Sequence, residues 1–351
     1  MKRAPAPDAG PAAASRIHDV AREAGVSTAT VSRALRGLDR VSPQTRARVA
    51  AAAEALQYVP SPTAASLKSG KTGVIGVVVP FLTRWFFTNL MDGAEALLRQ
   101  DGYHILVFTI GARGDQRTQV LDHQLLGKRL DGILVLSADL DPHEVALLAG
   151  LRVPIVTVGL DLPGCDRVGI DDVHVADTAM SHLIRLGHQR IAYVGGNPAE
   201  DVHIATAVNR LAGVTHALHR HGLRLDTRHA SHGDWTVHGG VAFAERLFRE
   251  QTLPTAVLAA SDEMAIGVLY AARRRGLDVP HDLSVMGIDD HEMSFTHELT
   301  TVRQQVREQG WEAGRLLLDA LYADGPPASR REVILGTELV ERRSTAPPSA
   351  S

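Results

Sequence analysis

The chain has 351 residues, enough for two or three domains, each with its own core. Its 37 Lys and Arg against 40 Asp and Glu leave a formal net charge of −3, which excludes a uniformly basic nucleic-acid coat protein. The single cysteine, Cys165, excludes an intrachain disulfide and a multi-cysteine zinc site, and no pair among the 17 histidines has metal-ligand spacing and a third ligand, so we expect no metal and no cofactor.

The first 14 residues predict a disordered arm. Lys2 and Arg3 are followed by Pro and Ala, where a signal peptide would have a continuous apolar run. No apolar run approaches the roughly 20 residues of a membrane span. We therefore expect a soluble, cytoplasmic protein without a membrane partner.

Residues 17–35 predict two short amphipathic helices that meet at Gly25. Gly25 supplies the left-handed conformation that ends the first helix, and Ser27 is placed to cap the second through its hydroxyl. Ser42 and Pro43 then predict the start of a third helix, so the three can close one small bundle. Such a helix-turn-helix suits the major groove of DNA, although similar corners also occur in proteins that never bind DNA.

The charge is unevenly distributed along the chain. Between Ser15 and Lys71, nine Lys and Arg stand against four Asp and Glu, so a basic head precedes an acidic body. This distribution is typical of a DNA-binding module with a separate sensor, although a solvated basic face would look the same.

Residues 61–72 predict a conditional helix between two domains. Ser61 can cap a helix that starts at Pro62, and Gly70 can end it. Eight or nine residues make about two turns, too few to be stable alone in water. We therefore expect this helix to form only with a partner.

From Gly73 onward, apolar runs alternate with helical stretches, which predicts parallel sheets covered on both faces. The runs fall into two groups, before about Asp172 and after about Arg190, so we expect two doubly wound subdomains with a ligand cleft at the carboxyl ends of the strands. The predicted strands are 74–79, 105–108, 132–136, 154–158, 191–194, 256–260 and 283–288. The predicted helices are 87–100, 115–128, 173–186, 204–221, 237–249 and 263–275.

Ordered motifs make the chain similar to one family over nearly its whole length. They are DVAREAGVS (19–27), TVSR (30–33), VS (41–42), TR (45–46), SLK (66–68), LGHQRI (186–191), RLAG (210–213), SDEMA (261–265), VMGIDD (285–290) and LTTVRQ (299–304). Together they are specific, although each alone is weak. The chain resembles the lactose-repressor type of bacterial transcription regulators.

The resemblance implies a small all-α helix-turn-helix head joined by a hinge helix to an α/β periplasmic-binding-protein-like core of two doubly wound parallel-sheet subdomains. The implied segments are an arm (1–14), the DNA-binding domain (15–60), the hinge helix and linker (61–72), an effector-binding and dimerisation domain (73–345) and a tail (346–351). In that domain, the N-subdomain is expected at about 73–172 and 291–322, and the C-subdomain at about 173–290 and 323–345.

The resemblance also implies a set of DNA contacts. Arg33 is expected to bind a guanine bidentately, and Ala29 can offer only an apolar contact. Leu67 matches the hinge leucine that is wedged into the minor groove, with packing against the sensor as the alternative. Thr28, Ala29 and Arg33 match base-contacting positions, whereas Ser27, Thr30 and Ser32 are expected at phosphates. The full implied set is Ser27, Thr28, Ala29, Thr30, Ser32, Arg33, Leu67 and Lys68.

Two positions near the head depart from the family pattern. Ala65 stands where many members have Arg before the Ser-Leu pair, which removes a possible phosphate contact. Arg16 stands where Thr usually caps the first helix. We expect Ser15 to take that cap, one residue earlier.

In the sensor, the resemblance implies a cleft that binds a small molecule. Asp289 can accept two hydroxyl hydrogen bonds, Arg210 presents a fork of donors, and Trp235 offers a flat face, which together fit a polyhydroxylated ring of a carbohydrate or nucleoside. Lobe packing is the alternative for Trp235, and a surface ion pair is the alternative for Arg210. The implied effector-binding residues are Phe86, Arg210, Trp235, Ser261, Asp289 and Gln304, with Val306 as a further wall position.

The identity of the effector cannot be copied from a relative, because the pocket departs from the family pattern. Ser261 stands where Asn is common, and TRWFF at 83–87 replaces the usual SNPFF. The sequence thus predicts a homodimeric, effector-controlled DNA-binding regulator, expected to be a repressor of a pseudo-palindromic operator and to have no catalytic residues. An exported sugar-binding protein and a doubly wound enzyme are the alternatives; the missing export signal and the absence of common enzyme motifs disfavour them.

Overall fold

The computed structural model describes residues 15–35, 37, 39–58, 71–111, 130–138, 140–197, 204–323, 325 and 329–349. The chain forms two compact units, Met1–Thr72 and Gly73–Ser351. Within the described ranges, no helix is both long and apolar enough to cross a membrane. The predicted arm, the hinge helix with Ala65, Leu67 and Lys68, and the predicted helix 115–128 lie outside these ranges.

The first unit contains the three predicted helices, α1 (Ile17–Glu23), α2 (Thr28–Leu35) and α3 (Pro43–Ala55). Their turns and caps follow the predicted chemistry. Gly25 has a left-handed φ of 61°, the Ser27 hydroxyl accepts a hydrogen bond from the Thr30 amide at 3.1 Å, and the Ser42 hydroxyl accepts one from the Thr45 amide at 3.2 Å. Both predicted serine caps are confirmed.

One valine from each helix forms the centre of this unit. Val20, Val31 and Val49 are fully buried. Burial of a valine side chain contributes about 1.5 kcal/mol or more, so three buried valines supply much of the stability of so small a bundle.

The predicted cap at Ser15 is wrong. Arg16 is the N-cap residue of α1, and its amide donates to the Asp19 carboxylate at 2.9 Å. The Ser15 hydroxyl instead donates to the Leu56 carbonyl at 2.7 Å. The burial of Val20 fixes the phase of α1, and this leaves Ser15 outside the helix, where it ties the start of the bundle to the end of α3.

In its described residues, the second unit contains two six-stranded sheets, each the centre of one lobe. The first lobe has strand order β11-β5-β4-β3-β1-β2, and all its strand pairs are parallel. Its strands are β1 (Val74–Val79), β2 (His104–Thr109), β3 (Gly132–Leu136), β4 (Ile155–Val158), β5 (Asp166–Gly169) and β11 (Glu332–Ile334). Its helices in the described ranges are α4 (Trp85–Leu98), α5 (Pro142–Gly150) and α11 (Val306–Tyr322).

The second lobe has strand order β12-β10-β9-β8-β6-β7, parallel except for β12, which runs antiparallel to β10. Its strands are β6 (Ile191–Gly195), β7 (Ala230–His232), β8 (Ala256–Ala259), β9 (Ser284–Asp289), β10 (Thr300–Gln304) and β12 (Thr337–Val340). Its helices in the described ranges are α6 (Asp172–Arg185), α7 (Ile204–Arg220), α8 (Val237–Leu247), α9 (Asp262–Arg275) and α10 (Glu292–Thr296).

The predicted subdomain boundaries are wrong at two strands. Residues 291–322 were assigned to the N-subdomain, but β10 lies beside β9 in the second lobe, where Thr300 and Thr301 are fully buried. Residues 323–345 were assigned to the C-subdomain, but β11 lies beside β5 in the first lobe. Arg331 fixes β11 there, because its guanidinium donates to the Asp166 carboxylate at 2.6 and 2.9 Å.

The segment predicted as a polar tail packs against the second lobe as far as Ser349. The Ala346 amide donates to the Ser284 hydroxyl at 3.0 Å, and the Ser349 hydroxyl donates to the His281 carbonyl at 2.7 Å. Ser344, just before it, is only 3% exposed. A hydrogen bond to the buried Ser284 hydroxyl and another to the His281 backbone therefore hold this end as far as Ser349, and it is not a free tail.

Two glycines allow α4 and α11 of the first lobe to approach backbone to backbone. A Cβ at Gly93 would overlap the Arg307 carbonyl, and one at Gly310 would overlap the Leu90 carbonyl. This contact holds α11 against α4 and so places the start of both helices at the boundary with the second lobe.

Candidate functional site

The three predicted base-contacting residues lie on one side of α2. Ala29 and Arg33 are exposed and four residues apart, hence on one helix face, and Thr28 beside them is half-buried. The inward side of the same helix is fixed by Val31, which is fully buried. The arrangement presents a guanidinium, a methyl and a hydroxyl near the helix N-terminus.

The hydroxyls expected at phosphates are partly engaged within the helix. The Ser27 and Thr30 hydroxyl oxygens lie 2.9 Å apart, and Ser27 also caps α2. Ser32 is half-buried on α2. Leu67 and Lys68 lie outside the described residues, so the hinge contacts stay predictions.

All six predicted effector-binding residues line one cleft between the two lobes, which has about 690 Å³ of empty space including its mouth. Phe86 comes from the first lobe, whereas Arg210, Trp235, Ser261, Asp289 and Gln304 come from the second. Val306 does not line this cleft: it is 3% exposed and packs in the core of the first lobe. It is the first residue of α11, whose inner face covers that sheet.

The sheet topology explains why these residues meet. Asp289 and Gln304 end β9 and β10, and Ser261 follows β8. Since β8, β9 and β10 are parallel neighbours, their carboxyl ends lie at one edge of the sheet.

Arg210 is the most buried cation of the cleft, with only 4% of its surface exposed. Its Nε donates to Asp172 Oδ1 at 2.8 Å, its Nη1 donates to the Ala260 carbonyl, and its Nη1 lies 3.9 Å from Asp289 Oδ1. Burial alone would lower the pKa of Arg210, but Asp172 and Asp289 raise it, so the guanidinium stays charged. The alternative of a surface ion pair is therefore wrong: the pair is buried.

Asp289 is held at the base of the cleft in a strained backbone conformation, with a φ of 130°. Non-glycine residues seldom adopt such angles, and they cluster at functional sites. Gln304 Nε2 donates to Asp289 Oδ1 at 2.6 Å, and Gln309 Nε2 donates to Gln304 Oε1 at 3.0 Å. Burial raises the pKa of Asp289, although the positive charge of Arg210 acts in the opposite direction. Because burial disfavours the ionised form of this carboxyl, a partner that donates hydrogen bonds to it stabilises that form.

Trp235 both packs and lines the cleft. Its indole contacts the core of the second lobe, and the Arg210 guanidinium carbon lies 5.6 Å from the ring centroid. Its φ of 56° is again left-handed. The ring is thus a wall of the cleft beside the Arg210 guanidinium. Trp235 packs against the second lobe and lines the cleft, so both interpretations of this residue are correct.

Several cleft residues were missed from the sequence. Asp172 follows β5, a short strand without an apolar run, so its position at a strand end went unrecognised. Trp85 lies in the TRWFF segment, which departs from the family pattern, and Glu263 lies in the SDEMA motif, but the resemblance assigns neither of them a role in the site. The unpredicted lining residues are Arg84, Trp85, Phe87, Ser137, Gly159, Ile170, Asp172, Thr206, Glu263 and Gln309.

A fully buried carboxylate supports the cleft from behind. Asp262 accepts hydrogen bonds from the Ser294 hydroxyl at 2.6 Å, the Thr301 hydroxyl at 2.7 Å and the His291 amide at 2.9 Å. It thereby ties α9 to α10 and β10. Burial raises the pKa of Asp262 despite these donors. Among the described residues, no group of three or more His, Cys, Asp or Glu is arranged to hold a metal ion.

Two family models match the chain. One, described as bacterial regulatory proteins of the lacI family, matches residues 16–61, and the other, a periplasmic binding protein-like domain, matches residues 180–345. Catabolite control protein A of Priestia megaterium is 36% identical over 306 residues, which cover 86% of this chain and 91% of that protein. The HTH-type transcriptional repressor CytR of Escherichia coli (strain K12) is 34% identical over 340 residues, which cover 95% and 96%.

Solved structures are similar over nearly the same length. A crystal structure of the lac repressor dimer bound to operator and the anti-inducer ONPF has a TM-score of 0.84 and 29% identity, covering 95% of this chain and 99% of that one. A complex of the transcriptional regulator CelR with cellobiose has a TM-score of 0.70 and 32% identity, covering 94% and 99%.

Proposed function

The chain belongs to the lacI family of bacterial regulatory proteins, and we propose that it is a repressor whose binding to operator DNA is controlled by a small polyhydroxylated ligand in the cleft between its two lobes. Control by a ligand is supported by one observation: all six predicted effector-binding side chains line the same cleft. Binding to operator DNA is supported by membership of the lacI family.

For DNA, the proposal assigns sequence readout to α2. Arg33 can form two parallel hydrogen bonds with a guanine, and the Ala29 methyl can contact a thymine methyl. The exposed position of both residues on one helix face supports this assignment. Ser27, Thr30 and Ser32 would lie at phosphates, and Leu67 with Lys68 at the centre of the operator.

For the ligand, the proposal assigns hydroxyl recognition to Asp289, Gln304 and Ser261, and ring stacking to Trp235 and Phe86. A carboxylate beside an aromatic face suits a sugar or a nucleoside, because hydroxyls donate to the carboxylate while the ring covers the aromatic surface. The complex of a similar regulator with cellobiose supports a carbohydrate as one candidate class.

The proposed mechanism couples the cleft to DNA through a homodimer. Two heads related by a two-fold axis read the two halves of a pseudo-palindromic operator. A ligand that changes the separation of the lobes would change whether the paired hinge segments can fold on DNA, which links the two sites energetically. The protein would act in the cytoplasm, by binding and without catalysis.

The experiment that tests this proposal has two arms. The operator is first selected from random duplex DNA with the full-length protein, and binding is then measured by fluorescence anisotropy. A thermal-shift screen of sugars and nucleosides follows, because a ligand at about 100 times its dissociation constant stabilises a protein by about 2.7 kcal/mol. A compound that both stabilises the protein and changes operator affinity supports the proposal. Failure to enrich any sequence, or turnover of a stabilising compound, would contradict it.

A further inference from the structure

The charged groups of the cleft are matched to one another. Two guanidiniums, Arg84 and Arg210, and three carboxylates, Asp172, Glu263 and Asp289, line it. Arg210 is bound to Asp172 and lies near Asp289. With the Arg210 side chain 5% exposed and that of Asp172 12% exposed, the pair is little screened by solvent.

The second guanidinium is matched across the cleft. Arg84 comes from the first lobe and Glu263 from the second, and the positive charge of Arg84 opposes the burial that raises the pKa of Glu263. The Arg84 guanidinium also stacks over the Phe81 ring, 3.9 Å from its centroid. Each of these two guanidiniums therefore interacts electrostatically with a carboxylate of the cleft.

At the helix N-termini that border the cleft, side chains of the protein already accept hydrogen bonds or place a negative charge in the first turn. The Trp85 amide, at the start of α4, donates to the Glu263 carboxylate from the other lobe. At α6, Asp171 accepts from the His174 amide at 2.9 Å, and Asp172 follows in the first turn. At α9, Ser261 caps the helix, with Asp262 and Glu263 in the first turn. Helix N-termini otherwise attract phosphates, and here carboxylates already complement their dipoles.

Among the described residues that line the cleft, an anionic ligand would therefore meet more carboxylates than guanidiniums, and the charge of Arg210 is already compensated by Asp172. An anion bound to Arg210 would share the guanidinium with Asp172 and lie close to Asp289, so like charges would repel one another in a buried site. A hydroxyl group faces no such conflict, because it can donate to Asp289 or accept from Arg210 without changing the balance of charge.

We propose that the effector carries neither a phosphate nor a carboxylate, and that Asp172 is the residue that excludes such ligands by occupying Arg210. The proposal rests on the proposed function, because it specifies the ligand class of the same cleft. It adds a specificity-determining residue that acts through Arg210.

The direct test uses inorganic phosphate as the probe, titrated calorimetrically into the full-length protein at fixed ionic strength. We expect Asp172→Asn to bind phosphate more tightly than the wild type by about tenfold or more, because Arg210 is released. Asp177→Asn is the matched control: Asp177 also lies on α6 and binds an arginine of α7, Arg220, at 2.6 and 2.9 Å, but it does not line the cleft. Equal phosphate affinity of Asp172→Asn and the wild type would overturn the proposal.

A second test uses the wild-type protein and pairs of compounds that differ only in a phosphate group. The pairs are ribose and ribose 5-phosphate, glucose and glucose 6-phosphate, and cytidine and its 5′-monophosphate. Preference of the wild type for a neutral member supports the proposal, and preference for a phosphorylated member overturns it. If Asp172→Asn does not fold, Asp172→Ser replaces it in the titration. If no compound of any class alters operator binding, the proposed function fails, while the phosphate titration still decides the role of Asp172.

Discussion

The rings of Trp85 and His291 stack across the rim of the cleft, with their centroids 4.7 Å apart and their planes at 39°. Trp85 begins α4 in the first lobe, and His291 follows β9 in the second. The Trp85 amide also donates to Glu263 of the second lobe. These contacts join the lobes where a ligand must enter, so they have to part for the cleft to open.

We expect loss of this stack to open the cleft. The chain has three tryptophans, and Trp311→Phe removes the one that does not line the cleft. In that background, Trp85→Phe and Trp85→Ala both leave Trp235 as the sole tryptophan, and only Phe keeps a ring against His291. The acrylamide quenching constant of Trp235 should be larger for the Ala variant, because a weaker contact shifts the population towards the open state.

A second substitution distinguishes opening of the lobes from a wider cleft entrance, which removal of the Trp85 ring would also produce. Glu263→Gln, added to the protein with Phe at position 85, weakens the contact without removing bulk and should also raise quenching of Trp235. Glu298→Gln is the control, since it removes a carboxylate 3.3 Å from Arg343 on an exposed surface. Quenching that is insensitive to Glu263→Gln would show that these contacts do not hold the lobes together.

Asp289→Asn should uncouple the protein from its effector and leave operator binding intact. Asn keeps the shape of the side chain and tolerates the left-handed backbone, but it removes the charge that accepts hydroxyl hydrogen bonds. A hydrogen bond to a charged group contributes about 1.5 to 3 kcal/mol, so effector affinity should fall by about tenfold or more. Calorimetry with a compound that stabilises the wild type measures this, and an unchanged affinity would contradict the assignment of Asp289.

Arg33→Ala should cost about 1 to 3 kcal/mol of operator binding and relax the preference at one base pair. The reason is the loss of a bidentate contact with a guanine. Arg22→Ala is the control, because it removes the same charge from α1, where Asp19 already binds the guanidinium. Anisotropy with the operator and its single-base variants distinguishes the outcomes. A loss that is equal for all sequences would make Arg33 a phosphate contact.

Gly93→Ala should destabilise the second unit by about 1 to 3 kcal/mol, because the added methyl would overlap the Arg307 carbonyl and force α4 away from α11. Gly150→Ala is the matched control: it is also a helical glycine, and a Cβ there meets no atom within 4 Å. Urea unfolding followed by circular dichroism gives both free energies of unfolding. Equal midpoints would show that the helices separate at little cost.

Local sequence patterns predicted the apolar centre of each lobe well. The seven predicted strands are present with ends within one residue of those observed, because each contains a continuous apolar run and pairs in a parallel sheet. The prediction lacks β5, β7, β10, β11 and β12, each of which contains polar side chains, and four of them have only three or four residues. Strands this short and polar have no periodicity to detect, and their pairing depends on a neighbour elsewhere in the chain.

The site residues that lie in family motifs were mostly predicted, whereas those whose role depends on a tertiary contact were missed. Arg210, Ser261 and Asp289 lie in motifs of the family, and all three line the cleft. Asp172 does not differ in sequence from an ordinary surface carboxylate near a helix start, and Glu263 lies in the SDEMA motif, but the motif does not show what Glu263 contacts. Their roles arise from Arg210, 38 residues away, and from the α4 N-terminus on the other lobe.

The sequence by itself determined the helix-turn-helix, its caps at Ser27 and Ser42, and the alternation of strands and helices, because caps and periodicity depend on neighbouring residues. Only the tertiary structure decided that β10 lies in the second lobe and β11 in the first, the reverse of the prediction. It also decided that Asp172 binds Arg210. The physical reason is that strand pairing and buried charge compensation join residues far apart in the chain, and local propensity does not encode which partner is chosen.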